Sequence, residues 1–277
     1  SIKKKTMRKP VNLFDLYPLK SSEYPLKSVA PRPRVRKMED LTEVYMTPLP
    51  DSPYVRPFRF NYTQGGKEKN WDMLEVHDSV AIIVFNVTRN VLIFVKQFRP
   101  AIYYNSVPVQ DRQNHTIDTS KYPASLGITL EMCAGIVDKN KSLQEIAKEE
   151  VLEECGYDVP LYDLHKVASY RAGVGVQGSL QTMFYCEVTD EMKKGKGGGV
   201  EDEIIEVVEK SITDVENWIS GPGPLNSPPS CLFALMWFLR NKADKYRNRG
   251  HCSSELPPPA TRVRRVYTKY MKNKKVC

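Results

Sequence analysis

The sequence predicts an α+β fold, a mixed sandwich rather than a parallel sheet of repeated strand–helix–strand units. Three observations carry this. Apolar β-branched runs cluster before residue 135, one strongly signalled helix then interrupts further strands, and a second helix closes the body. From residue 54, Val55, Phe58, Phe60 and Tyr62 read as a strand; Gly65-Gly66 turns the chain into a second strand at 71–76, making a hairpin. Runs 79–86 and 90–97 flank Val87-Thr88-Arg89 and form a second antiparallel hairpin. Residues 105–123 are polar and turn-rich and are expected as a loop; 126–133 is a strand entering Ala134-Gly135. Ser142 and Glu145 are spaced as a capping box for a helix reaching Cys155, and Gly156 supplies the left-handed stop. Strands follow at 164–170, 183–189 and 204–209, separated by glycine-rich loops at 173–178 and 195–199. The last helix starts after Asn226-Ser227-Pro228 and runs to about Arg247, with proline suiting the first turn.

Composition bounds the function. The chain has 277 residues, 41% hydrophobic and 27% charged, enough for one large domain or a domain with appendages. Its longest apolar run, 231–239, is about half the roughly 18 residues a spanning helix needs. Six cysteines without any CxxC pair argue against a disulfide scaffold or a zinc ribbon and suit a reduced, cytoplasmic setting. Net charge is +8, unevenly spread. Residues 1–40 hold 11 basic and 4 acidic side chains (+7), and 241–277 hold 11 and 2 (+9), so the middle carries 8 − 16 = −8. Nucleic-acid binding is therefore expected only through the basic termini, not the body. The expected organisation is a basic extension over 1–50, with a cleaved signal as its alternative, N-terminal strands over 51–76, the main domain over 77–248 and a basic Pro-containing tail over 249–277.

On the helix from Leu143 to Cys155, Leu143, Ile146, Ala147, Val151 and Cys155 form an apolar stripe. Glu150 and Glu154 fall within roughly 20° of its centre, and Glu153 can join them, whereas Glu145 and Lys148 lie opposite. An EE-x-x-EE string is ordinarily a solvated face, but this phase turns the carboxylates toward the core. There they repel one another unless a cation is present. Hard divalent cations such as Mg²⁺ take oxygen ligands. A buried cluster neutralised by Lys or Arg is the alternative.

From Gly135 through Glu150, Val151, Glu153, Glu154 and Gly156 the chain resembles the Nudix box, G-x5-E-x7-R-E-U-x-E-E-x-G-U with U apolar. Lys141 stands where the pattern has its first Glu, Glu149 where it has Arg, and Tyr157 at the last apolar position. KQFRPAIY at 96–103, LEMCAGIVD at 130–138, the glycine-rich segment from Ala172 and GGGVEDEIIEVV at 197–208 extend the resemblance over about residues 53–240, toward the UDP-sugar pyrophosphatase branch.

The resemblance implies an α/β/α sandwich with a mixed sheet, preceded by the N-terminal hairpin region. It also implies Mg²⁺ as cofactor, a homodimer whose N-terminal strands pack across the partner, and hydrolysis of a UDP-sugar to UMP and sugar 1-phosphate. The alternatives are an ADP-ribose or ADP-sugar pyrophosphatase, or a degenerate fold binding RNA through its basic arms.

By the same resemblance, Glu150, Glu154, Glu203 and the carbonyl of Ala134 ligate metal, Glu153 belongs to the catalytic set, and Glu201 is the general base. Arg99, at a strand end, is expected to grip the diphosphate, against the reading of a surface arginine. Trp71 is expected to stack on uracil or to pack in the core. The segment 173–178 could cradle substrate but lacks the Lys-Ser/Thr of a P-loop, and His77, His115, His165 and His251 have no ligand spacing. The Arg of the box orients the metal carboxylates in the family. With Glu149 there, either a basic residue such as Lys141 or Lys148 compensates or Mg²⁺ binds more weakly, and weaker binding is the expectation.

Overall fold

The computed structural model describes residues 38–49, 51–112, 115–200 and 202–247. Most of both basic arms and the expected base Glu201 lie outside the described residues.

In chain order the first strands are β1 (Val44–Tyr45), β2 (Arg56–Gln64), β3 (Lys67–Glu75), β4 (Ser79–Asn86) and β5 (Val91–Phe98). Helix α1 (Pro100–Ser106) precedes β6 (Thr116–Ile117), β7 (Ile128–Glu131), β8 (Cys133–Ile136) and helix α2 (Leu143–Cys155). Strands β9 (His165–Arg171), β10 (Leu180–Val188) and β11 (Ile205–Ser211) lead to α3 (Ile212–Ser220), α4 (Pro229–Asn241) and α5 (Asp244–Arg247).

The seven-stranded sheet runs β11-β5-β4-β10-β9 and is mixed, because β10 pairs parallel to β4 while the other pairs are antiparallel. The β4–β5 hairpin is closed only near its turn, Val84 opposite Ile93. Farther along it splays. Strand β8 then pairs the first half of β4, with Gly135 opposite Val80, and β7 pairs the second half of β5, with Glu131 opposite Val95. The wedge brings β7, β8 and their connection into the middle of the molecule.

Strand β4 is buried along almost its whole length, which explains its unbroken apolar run. Val80, Ile82 and Val84 meet Ile146, Ala147, Val151 and Cys155 of α2 on one face. Ala81, Ile83 and Phe85 meet Val215 of α3, Ala234, Leu235 and Phe238 of α4 and Tyr246 of α5 on the other. Helices cover both faces, so the α/β/α sandwich expected from the sequence is present. A satellite cluster of Tyr103, Val107 and Ile117 gathers Leu41, Val44 and Met46, and β1 pairs with β6. No helix among the described residues is long and apolar enough to cross a membrane.

Several local expectations differ from the structure. Helix α1 and the short β6 occupy parts of the stretch read as strand end and loop; α1 has Pro100 in its first turn and no side-chain cap, so periodicity could not reveal it. The strand expected over 126–133 begins as a 3₁₀ turn at Ala124–Gly127 and breaks at Met132 into β7 and β8, because these pair with different strands. Helix α3, absent from the sequence expectation, carries a local signal nonetheless: Ser211 and Asp214 form a capping box. The last helix is broken at Lys242-Ala243 into α4 and α5.

Phe85 packs its ring 4.9 Å from Phe238 and 4.4 Å from Tyr246, joining sheet to outer layer. Truncation by Phe85→Ala is expected to cost about 3–5 kcal/mol and lower the melting temperature by roughly 10 °C. Thermal and urea melts followed by circular dichroism check this.

Candidate active site

Helix α2 is held at both ends. The Ser142 hydroxyl accepts the Glu145 N–H at 3.2 Å, and the Ser142 N–H donates to the Glu145 carboxylate at 2.8 Å. At the other end Gly156 takes φ = 78°, and the glycine run 195–199 folds over the helix terminus. Gly198 and Gly199 donate N–H bonds of 2.9 and 3.1 Å to the last-turn carbonyls of Glu154 and Glu153. Gly197, at φ = 70°, lies so close that any Cβ would run into the Glu154 carbonyl. Gly199 leaves room for the Glu203 carboxylate, which accepts the Val200 N–H at 2.9 Å.

The carboxylates converge where the sheet wedge meets α2. Glu154 is only 5% exposed and accepts the Ala134 N–H at 3.0 Å. Glu150 is half-buried over Gly135, and a Cβ at 135 would overlap its carboxyl group. Burial pushes Glu154 up to about 8, with Glu150 and Glu203 adding to the rise against the Ala134 N–H and the Cys133 thiol. Burial likewise lifts Glu150 to about 7, helped by Glu153 and Glu203 and opposed by Lys139. Among the described residues no three such side chains already stand as a ready ligand set. Crowded oxygen donors in need of positive charge nevertheless fit a hard divalent cation.

Beside this cluster lies Arg99. Its backbone N–H donates to the Gly127 carbonyl at 2.8 Å, and its Nε and Nη2 each donate to one oxygen of Glu131 at 2.8 Å. The Glu131 side chain is 6% exposed, that of Arg99 45%. The guanidinium lies within electrostatic reach of Glu154 and Glu203. Glu131 was not singled out in the sequence; the available signal was one glutamate within the apolar stretch 128–133.

The structure thus brings together Glu150, Glu153, Glu154, Glu203, Ala134 and Arg99. Trp71 is not in that set. It is half-exposed, not core, and its indole N–H donates to the Gly175 carbonyl at 2.7 Å, tying β3 to the glycine-rich turn 173–178. None of its hydrogen bonds reaches the carboxylate cluster. Glu201 lies outside the described residues.

The chain matches no protein-family model. It is 41% identical to the mouse (Mus musculus) uridine diphosphate glucose pyrophosphatase NUDT14 over 214 residues, 73% of this chain and 96% of the relative. It is 40% identical to the Bos taurus protein of the same name over 215 residues, again 73% and 96%. The GDP-mannose pyrophosphatase of Salmonella typhimurium is 30% identical over 158 residues, 56% of this chain and 72% of the relative. The chain belongs to the Nudix hydrolases, in the uridine diphosphate glucose pyrophosphatase family.

In this Nudix hydrolase the two departures from the box explain each other. Lys141 ion-pairs with Glu149, and Lys139 adds a second contact at 3.4 Å. The Lys141 ammonium holds the Glu149 carboxyl below its usual range. Lys148 does not contribute; it pairs with Asp158 at 3.0 Å. A basic–acidic pair with its polarity reversed therefore stands at the two box positions, and Glu149 adds no unpaired charge beside Glu150. A basic partner for Glu149 is thus present, in Lys141 and Lys139 rather than in Lys148.

Two expectations follow from this geometry. Glu149→Arg places a third cation beside Lys139 and Lys141 and should weaken Mg²⁺ binding in calorimetric titration, whereas adding Lys141→Glu should restore it. In metal-free protein Glu150 and Glu154 have folded-state values above the unfolded 4.5. Their contribution to stability is complete below about pH 4.5 and is lost as pH rises through about 7 and 8. In chelator, the melting temperature of the parent should fall from pH 5 to 9 relative to that of Glu154→Gln, and Mg²⁺ should close the gap. A gap of the opposite sign would contradict the burial argument.

Proposed function

We propose that this chain hydrolyses the diphosphate of a UDP-sugar, with UDP-glucose as substrate, to UMP and sugar 1-phosphate with Mg²⁺ as cofactor. The observation that carries the reading is the meeting of buried, mutually repelling carboxylates with a half-exposed arginine at one site. One set suits a cation and the other a dianion. The names of the mammalian relatives support the choice of UDP-glucose.

Glu150, Glu154, Glu203 and the Ala134 carbonyl would hold Mg²⁺, with Glu153 completing the carboxylate set. When bound, the ion supplies Lewis-acid neutralisation of the diphosphate oxygens and favours ionisation of water. Arg99 orients the diphosphate through the guanidinium edge that Glu131 leaves free. Glu201, by the family resemblance, takes the proton from the attacking water. Water adds to one phosphorus, the bridging P–O bond breaks, and UMP and the sugar phosphate leave.

The assembly proposed is a homodimer. In the β2–β3 hairpin Phe58 faces Met73 and Phe60 faces Trp71, so these side chains share one face, and Phe58, Phe60 and Trp71 are 43–54% exposed. The ribbon is tied to turn 173–178 through the Trp71 indole and the Leu74 N–H, and a second copy would cover its exposed aromatic face. Sedimentation equilibrium checks it, and Phe60→Asp with Trp71→Asp should yield monomer. The four described cysteines, Cys133, Cys155, Cys186 and Cys231, are free thiols, which supports a cytoplasmic setting.

The deciding assay follows phosphate released by a coupled phosphatase from UDP-glucose, ADP-ribose and GDP-mannose, with and without Mg²⁺. UDP-glucose should be preferred, and Glu154→Gln should lower turnover by at least about 10²-fold while the protein stays folded. Unchanged turnover in that variant would sink the metal assignment.

A further inference from the structure

We propose that Glu131 is a positioning residue, which fixes the guanidinium of Arg99 so that its remaining donors meet the substrate diphosphate. The inference rests on the reading of Arg99 as the diphosphate ligand and deepens it.

The geometry is that of a clamp. Both Glu131 oxygens are engaged by Arg99, through Nε and Nη2 at 2.8 Å each. The Thr129 hydroxyl donates at 2.6 Å to Oε1, the oxygen that Arg99 Nε also meets, and so helps fix the carboxylate. Glu131 and Thr129 are both buried in β7, at 4% and 2% exposure, so the carboxylate is the fixed member and the arginine the member that is held. The backbone of Arg99 is tied to the same segment through Gly127. At Gly127 a Cβ would come within 2.6 Å of the Phe98 ring and of Tyr103 Cβ, so the junction of β5 and α1 packs closely on that segment. Arg99 is thus gripped twice, by side chain and by main chain. A guanidinium has five N–H donors, and this leaves the Nη1 edge for a ligand. The Arg99 side chain as a whole is half-exposed, whereas that of Glu131 is buried.

Electrostatics makes the inference testable by sign. A carboxylate beside an anionic diphosphate repels it. If Glu131 contributed only its charge, removing that charge would tighten binding of the anion. If it contributes orientation, removal loosens Arg99 from its bidentate geometry and weakens binding instead.

The experiment measures the affinity of the full-length protein for UDP, in saturating Mg²⁺, by calorimetry. Mg²⁺ binding alone, the melting temperature, and kcat and KM for UDP-glucose are measured alongside. Glu131→Gln is isosteric and keeps only one oxygen acceptor. It is expected to weaken UDP binding about 10-fold and to raise KM more than it lowers kcat, with Mg²⁺ affinity unchanged. Thr129→Val, which leaves the charge in place and frees the carboxylate, should weaken UDP binding in the same direction by a smaller factor. Equal or tighter UDP binding in Glu131→Gln, with Arg99→Ala binding UDP poorly, would overturn the positioning role alone. If Arg99→Ala binds UDP as the parent does, the diphosphate reading itself falls. Should Glu131→Gln fail to fold, Thr129→Val decides the matter, and unchanged affinity there overturns the proposal.

Discussion

Mutual repulsion among carboxylates on the buried side of one helix is the constraint on which the rest of the structure turns. Glu154 is nearly inaccessible and Glu150 half so, and Glu203 adds a third negative group from another segment. Burial alone would favour the neutral forms of Glu154 and Glu150. The fold tolerates the arrangement because every neighbouring element is shaped around it. Gly135 has no side chain because Glu150 occupies that space. The Ala134 N–H is turned to Glu154. The glycine run 195–199 is compressed against the last turn of α2, bonding its free carbonyls while leading to Glu203, which lies within electrostatic reach of Glu150 and Glu154. The carboxylate crowding itself is costly without a cation; these features seat the carboxylates and satisfy the helix end around them.

The wedge in the central sheet performs the complementary task. Splaying the β4–β5 hairpin admits β7 and β8. These strands carry Glu131 to one side and Ala134-Gly135 to the other, three residues apart. One insertion therefore serves both the arginine and the carboxylate cluster. Glu131 sits on a strand, Arg99 at the junction of β5 and α1, and Glu150 and Glu154 on a helix, so these separations are set largely by rigid elements, while Glu203 arrives on the segment before β11.

Where the sequence could be read, the physical signal was local. The capping box at Ser142 and Glu145, the stop at Gly156 and the phase of Glu150 and Glu154 all lie within about four turns of chain, and the helix forms as its spacing requires. The alternation of β4 into two buried faces also follows from an unbroken apolar run. Elements without such signals were missed or misplaced: α1 lacks a cap, and the 126–133 stretch breaks because its two halves answer to different partner strands. Trp71 illustrates the same limit. An aromatic in a strand suggests core or stacking, but its hydrogen bond is made to Gly175, 104 residues away, and its ring stays half-exposed.

By itself, then, the sequence determined the helix, its acidic face, the glycines that permit close approach and the family to which the chain belongs. Those properties depend on periodicity, on conformational preference and on residue spacing, which are all written along the chain. Only the tertiary structure decided who pairs with whom. It matched Glu149 with Lys139 and Lys141, so that two apparent defects became one ion pair. It also set Glu131 under Arg99, 32 residues distant in the chain. A charge has no partner in one dimension. Its partner is chosen by sheet register and loop closure, which bring distant residues within 3 Å and which no local pattern encodes.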